Sequence, residues 1–307
     1  MSVEKKENNK VAYLIQAYSD YNALKKLVYC LLDMGNCHIF VHLDKKSDIT
    51  KFLIKDSRVH FIDKREFVSW AGYNQGKLIM NLIEAALAYS ERFEMYAFLS
   101  ESDYPVYNGE ELESRLRDVR TIVINCSQKQ KQKIERYWFY DFGISSVRLN
   151  KVVSKLVNGI FGVLYKIRIC KKKNKVKLDG KEVDVYCSGP FWRYDYEQIK
   201  YIYDKFTSNR ELQKYFKHSF ASCELIVSTI IANSKYVDKC QFVDEYQNLC
   251  QLSSLCFFKY TGPRVNVLTE DDYDDILQSQ KPFIRKVKEG VSDTLINKIE
   301  DKWVWDN

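Results

Sequence analysis

The sequence predicts an α/β protein built on a mostly parallel sheet with helices on both faces. Three observations carry this expectation. Over the first 125 residues, short apolar runs of strand length alternate with segments of helical periodicity, the pattern of right-handed crossovers between parallel strands. Of the 307 residues 46% are hydrophobic, and 22 Tyr, 17 Phe and 5 Trp make the chain too apolar and aromatic to be disordered or fibrous. No stretch approaches the roughly 18 uninterrupted apolar residues of a membrane span, so the apolar content belongs to a globular core.

The elements follow in order. Residues 11–16 (VAYLIQ) read as the first strand, and 22–34 carry apolar residues at helical spacing until Gly35 stops them. A second strand, 38–43 (HIFVHL), ends on Asp44. The short run 58–62 is a third strand, 75–93 a long amphipathic helix, and 96–99 a fourth strand ending in Glu101, Ser102, Asp103, Tyr104 and Pro105. A helix at 110–116 and a strand at 121–125 continue the alternation. Ligands on such sheets bind beyond the carboxyl ends of the strands, where Asp44, Glu101 and Asp103 lie.

Beyond residue 125 the composition changes. Residues 129–142 mix basic and aromatic side chains, and 148–177 hold ten Lys or Arg and no acid. Val152, Val153, Leu156, Val157, Ile160, Phe161 and Leu164 share one helical face there, with Lys151 and Lys155 on another. Net charge over 166–177 is +7, equal to that of the whole protein, so the basic bias is one local segment. With 41 acidic residues interspersed among 48 basic ones, a dedicated nucleic-acid binder is not expected. The second half has an apolar bend at 185–192 (VYCSGPFW), helical spacing at 196–206, and a segment 221–233 (ASCELIVSTIIAN) that places Glu224 at the head of an apolar helix. Then come YTGPR (260–264), an acid-rich helix at 270–277, and KPFIRK (281–286). The four prolines, Pro105, Pro190, Pro263 and Pro282, each fall beside a candidate site.

Residues 1–10 form a polar tail without the apolar core of a signal peptide. Nine scattered cysteines without a CxxC pair are expected to be free, mostly buried thiols in a reducing cytoplasm. Four histidines, none in HExxH, give no zinc site, and no GxGxxG or Walker motif occurs.

Among candidate functional residues Glu224 is the sharpest. Apolar neighbours raise a carboxyl pKa towards general-base duty, although a first-turn glutamate favoured by the helix dipole fits the same spacing. Asp44 suits sugar hydroxyls, or equally the cap of the next turn. Glu101 and Asp103 form an acid-x-acid pair of the kind that holds a divalent metal at a diphosphate, and also of the kind found in ordinary loops. Arg264 and Lys286 follow Gly-Pro and Pro turns that can aim cations at a diphosphate, or leave them in solvent. The acidic cluster Asp271, Asp272, Asp274 and Asp275 reads as a helix N-terminal turn rather than a metal site.

FVHLDKKS (40–47), VSWAGYNQGKLIMNLIEAAL (68–87), FLSESDYPV (98–106), SGPFWRYDYEQI (188–199), SCELIVSTIIANS (222–234) and GPRVNVLTEDDYDDIL with PFIRKV (262–287) occur in the order of the blocks of a known family. The chain thereby resembles glycosyltransferase family 14, the core-2/I-branching β-1,6-N-acetylglucosaminyltransferases and peptide xylosyltransferases, over about residues 11–287. The resemblance implies a GT-A type fold: a Rossmann-like nucleotide-sugar-binding half (11–125), a variable basic and amphipathic segment (126–180), and an acceptor-binding and catalytic half (181–307), continuous as one domain. It implies inverting transfer from a UDP-sugar, N-acetylglucosamine before xylose, galactose or glucose, to a saccharide acceptor. Glu224 matches the catalytic base, and Arg264 and Lys286 the two cations that replace a metal at the diphosphate. Asp44, Trp70 and Asp103 match the nucleotide-sugar pocket, and Ser188, Gly189 and Trp192 the wall around donor and acceptor. No cofactor is expected, with Mn2+ or Mg2+ on Glu101 and Asp103 as the fallback.

Three departures bear on substrate: Ser222-Cys223 stand where the family has Pro-Asp, Pro190-Phe191-Trp192 replace its Gln-Trp, and Ile284 and Val287 replace the alanine and final aromatic of its closing element. Lacking the anchor and disulfides of animal members, the chain is expected to be a cytoplasmic bacterial form that builds surface polysaccharide. The segment 148–177 suits peripheral contact with the anionic inner face of the cell membrane or a lipid-linked acceptor, or else a basic surface loop beside a core helix. A metal-dependent GT-A transferase and a non-catalytic basic binding protein are the rival readings.

Overall fold

The computed structural model describes residues 11–144, 146–246, 248–262 and 264–305; the polar tail 1–10 and Pro263 lie outside them. The first elements alternate as expected: β1 (Val11–Ala17), α1 (Tyr21–Asp33), β2 (Cys37–Leu43), β3 (Val59–Phe61), α2 (Tyr73–Leu87) and β4 (Met95–Ser100). All four strands run parallel in the order β4–β1–β2–β3, with Val11 opposite both Cys37 and Met95. Strands β2 and β4 are buried at every position, as continuous apolar runs covered on both faces must be.

Later elements are shorter. They are β5 (Asp103–Pro105), α3 (Gly109–Asp118), β6 (Thr121–Asn125), α4 (Cys126–Lys129), α5 (Lys131–Glu135), α6 (Val147–Lys166), β7 (Lys175–Leu178), β8 (Lys181–Asp184), β9 (Tyr186–Cys187) and β10 (Arg193–Asp195). Next come α7 (Tyr196–Ser208), α8 (Arg210–Lys217), α9 (Ile226–Ala232), β11 (Cys240–Phe242), β12 (Cys256–Phe257), β13 (Tyr260–Thr261), β14 (Arg264–Val265), α10 (Tyr273–Ser279), β15 (Phe283–Arg285) and α11 (Asp293–Trp305). Strand β10 closes the main sheet antiparallel to β4. Two smaller sheets, β11–β6–β9 and β12–β15–β5, flank it.

Local chemistry explains the helix starts. Asp20 caps α1 by accepting Ala23 N–H at 3.0 Å, and Leu24, Leu27, Val28, Leu31 and Leu32 turn inward at helical spacing. Helix α2 has no cap of its own at Gly72. Its Asn74 N–H is taken at 2.8 Å by Asp141 from a distant loop, and a side chain at position 72 would collide with that carboxylate.

Several expectations are corrected. Helix α2 stops at Leu87 instead of reaching Phe93, whose buried ring joins His38, Phe40 and Tyr89 in an aromatic cluster that continued helix would pull apart. Glu224 does not head a helix: it closes the short 3-10 turn Ser222–Glu224, one residue before α9 begins beyond Leu225.

The predicted apolar face of α6 also divides. Val153, Val157, Phe161 and Leu164 are half-buried, whereas Val152, Leu156 and Ile160 are exposed together with Leu149, Val163 and Ile167. The helix docks instead through Ser154 and Asn158; the Asn158 amide exchanges bonds with Phe139 N–H and C=O at 2.9 and 2.8 Å. Nor is the cationic segment one free patch. Lys171, Lys173, Lys175 and Lys177 pair with Glu135, Glu182, Asp184 and Glu211, and Lys172 is buried, donating to Tyr215 C=O, His218 C=O and Ser219 Oγ.

Candidate active site

Three strand ends meet at one edge of the main sheet. Asp44 N–H donates to Ala17 C=O at 2.8 Å and Glu101 N–H to Gln16 C=O at 3.0 Å, so the residues that follow β1, β2 and β4 stand side by side. A parallel sheet presents its ligand there. Each expected carboxylate is already engaged. Glu101, fully buried, accepts the backbone N–H groups of Tyr18, Ser19 and Asp20 at 2.8, 3.2 and 3.3 Å. Burial pushes its carboxyl up to about 6, against the pull of those amides. Asp44 accepts Lys46 N–H at 2.9 Å and pairs with Lys46 Nζ at 3.2 Å, which makes it the cap of the turn after β2.

Asp103 faces Arg285. Strands β5 and β15 pair antiparallel with these two residues opposite, Asp103 Oδ1 lies 2.9 Å from Arg285 Nη1, and Oδ2 accepts Ser100 N–H at 2.8 Å. Burial alone would lower the guanidinium pKa; Asp103 overrides it and holds the group charged. Glu101 and Asp103 therefore do not offer a pair of free oxygens to a divalent cation. Among the described residues no group of three or more His, Cys, Asp or Glu is arranged to hold one.

Glu224 is reached through Ala221, whose left-handed φ of 50° turns the chain sharply into the 3-10 turn. Its Oε2 pairs with Lys133 Nζ and lies 3.7 Å from Cys187 Sγ, with Lys133 Nζ 3.2 Å from the same sulfur. Both side chains are close to buried, 10% exposed for Lys133 and 13% for Glu224. Burial opposes the lysine's charge, but Cys187 and Glu224 outweigh it and raise the ammonium pKa. Oε1 is thus the carboxylate oxygen without a hydrogen-bond partner among the described residues. Lys133 escaped sequence reasoning because it is one of four cations between 129 and 136, and no spacing separates it from the rest.

A cleft of about 270 Å3 brings Glu224 and Arg285 together, lined also by Gln16, Trp70, Phe191 and Tyr260. The guanidinium lies 4.6 Å from the centre of the Phe191 ring. Tyr260 reports both charges: burial and the Glu224 carboxylate push its phenol up to about 12, while Arg285 pulls it back. Trp70 stands 75% exposed at the mouth, edge-on to Phe220 and Tyr140 at 5.5 and 6.4 Å.

Other expected residues are placed elsewhere. Trp192 is buried against Phe98, ring centres 5.5 Å apart, so Pro190 and Phe191 form the wall instead. Ser188 and Gly189 act through their backbones: Ser188 N–H donates to Glu224 C=O and Gly189 N–H to Leu252 C=O, both at 3.0 Å. A side chain at 189 would strike the Leu252 carbonyl. Arg264 is exposed on the β13–β14 hairpin and does not line the cleft, although its neighbours Tyr260 and Val265 do. Lys286 is half-buried, its Nζ 3.5 Å from Tyr18 Oη at the end of β1. Sequence reasoning chose it over its neighbour Arg285, the cation that enters the cleft.

A family model described as Branch: Core-2/I-Branching enzyme matches residues 11–241. That span holds Asp44, Trp70, Asp103, Lys133, Ser188 to Trp192 and Glu224; Arg264, Arg285 and Lys286 lie beyond it. No curated protein matches the chain.

Proposed function

The chain belongs to the Core-2/I-branching enzyme family, a family of glycosyltransferases with a GT-A-like fold that pass a sugar to a saccharide acceptor, and on that premise we propose a specific reaction for it. The donor is a UDP-sugar, with N-acetylglucosamine the first choice, and transfer inverts the anomeric centre without a metal. Glu224 takes the proton of an acceptor hydroxyl. The acceptor oxygen bonds to the anomeric carbon as the bond from that carbon to the diphosphate breaks, and the electron pair leaves with UDP. Fixed cations stabilise that developing charge best in a partly dry cleft. Lys286 and Arg264 are assigned to the diphosphate, Arg264 reaching it from the exposed β13–β14 hairpin outside the cleft lining, and Arg285, paired with Asp103, adds a guanidinium to the cleft wall.

The observation that carries this reading is the single cleft lined by both the Glu224 carboxylate and the Arg285 guanidinium at the strand ends. A screen of UDP-sugars for transfer and slow hydrolysis, with and without EDTA, tests it. Turnover with a UDP-sugar is expected to survive EDTA; activity lost in EDTA and restored by manganese would transfer the phosphate-binding role to a metal. Binding of no nucleotide at all would favour a non-catalytic protein.

We further propose that the acceptor is lipid-linked, a precursor of surface polysaccharide, and that the protein meets the inner face of the cell membrane peripherally. Among the described residues no helix is long and apolar enough to cross a bilayer. Helix α6 supports surface contact. Leu149, Val152, Leu156, Ile160, Val163 and Ile167 recur at helical spacing on its outer side, each 51–65% exposed, and Arg148 and Lys166 flank them with no ion pair among the described residues. An outward apolar stripe beside cations suits an anionic interface. The protein is expected to float with phosphatidylglycerol vesicles and not with phosphatidylcholine alone. Leu156→Glu/Ile160→Glu should abolish flotation while leaving transfer to a soluble acceptor intact; flotation by that variant would sink the idea.

A further inference from the structure

Behind α6 lies a second cavity, of about 660 Å3, bounded on its other side by residues 67–70; Trp70 belongs both to it and to the Glu224 cleft.

Its lining says which kind of ligand it fits. Trp70, 75% exposed, and Tyr140 line it, and aromatic side chains are the usual platform for the apolar face of a sugar. Lys46, Arg136, Lys151 and Lys155 also line the cavity, against one acid, Asp141. Lys46 is neutralised by Asp44, and Arg136 donates to Asn158 C=O. Lys151 and Lys155 have no ion-pair partner among the described residues. The cavity thus combines aromatic side chains and uncompensated positive charge, and it shares Trp70 with the Glu224 cleft.

We infer that this cavity is an extended acceptor subsite for a saccharide bearing an anionic group, whose reacting sugar reaches past Trp70 to Glu224. This deepens, and rests on, the transferase reading above. The anion is either a uronate within the glycan or the diphosphate that joins a glycan to its lipid.

Calorimetry at saturating UDP separates the sources with three probes: a tetrasaccharide alternating glucuronate and N-acetylglucosamine, its carboxyl-reduced neutral counterpart, and N-acetylglucosamine on a geranyl diphosphate. At least one anionic probe is expected to bind about tenfold more tightly than the neutral one, and Lys151→Gln/Lys155→Gln should lose about tenfold for it with UDP affinity unchanged. Preference for the first anionic probe assigns the charge to the glycan, and preference for the second to the lipid linkage. Equal binding of all three, binding of none, or full affinity in the double variant would overturn the subsite. Failure of UDP itself to bind the wild type would instead refute the transferase reading.

Discussion

Glu224→Gln is expected to lower transfer by roughly 10²–10⁴-fold, the usual worth of a positioned general base, with UDP affinity unchanged. The substitution keeps the size and hydrogen-bonding reach of the side chain but cannot accept the proton. It also leaves the Lys133 ammonium without its anion. Removing one partner of a buried pair costs about 3–5 kcal/mol, so a fall in melting temperature accompanies the loss of activity. Glu224→Gln/Lys133→Met removes both charges and should recover much of the stability while remaining inactive. That combination separates chemistry from folding. Full turnover in Glu224→Gln would remove the assignment, whatever its stability.

The second large effect is expected at Asp103→Asn. The native carboxylate has no exposure and meets Arg285, itself 17% exposed at the side chain. Loss of the anion strands a guanidinium in the cleft wall, again at about 3–5 kcal/mol, or a drop of roughly 5–8 °C in melting temperature. Transfer should fall with it, because Arg285 loses the contact that fixes it beside Phe191. Asp103→Leu/Arg285→Met restores an uncharged wall and should regain stability without regaining activity. A double variant as active as wild type would show that Arg285 does nothing for the leaving group. Stability measured by thermal denaturation and turnover measured on the same samples decide between these outcomes.

Much of the main sheet was legible because β1, β2 and β4 are continuous apolar runs that close on Asp44 and Glu101, and a parallel sheet leaves them little choice of position. The pairing of β5 with β15 was not. Each has three residues, and the partners lie about 180 positions apart. The same limit explains the choice of Lys286 over Arg285. Arg285 is the last residue of β15 and Lys286 follows it, so only the pairing with β5 says which of them enters the cleft. Phe191 and Trp192 lie just before β10, and only tertiary packing puts Phe191 on the cleft wall and buries Trp192. Helix α6 misled differently: its apolar periodicity was correctly seen, but a helix that docks through a buried Ser and Asn has no signature in a hydrophobic pattern. Glu224 stands out because a lone carboxylate before an apolar run is conspicuous in any reading, whereas its partner Lys133 is hidden in a basic stretch.

The β5–β15 pairing also sets when the enzyme can exist. The strands of the main sheet are complete by residue 195 and pair largely among near neighbours, but the cleft lacks its guanidinium wall until residue 285 docks against residue 103. Contacts of such separation close late, after the entropy of a long loop has been lost. A nascent chain released from the ribosome only as far as α9 would therefore already carry Glu224 and Lys133 beside a formed sheet, yet leave the Asp103 carboxylate on an open flank without its guanidinium. Synthesis of residues 233–285 is the step that converts a folded sheet into a cleft with two opposed charges.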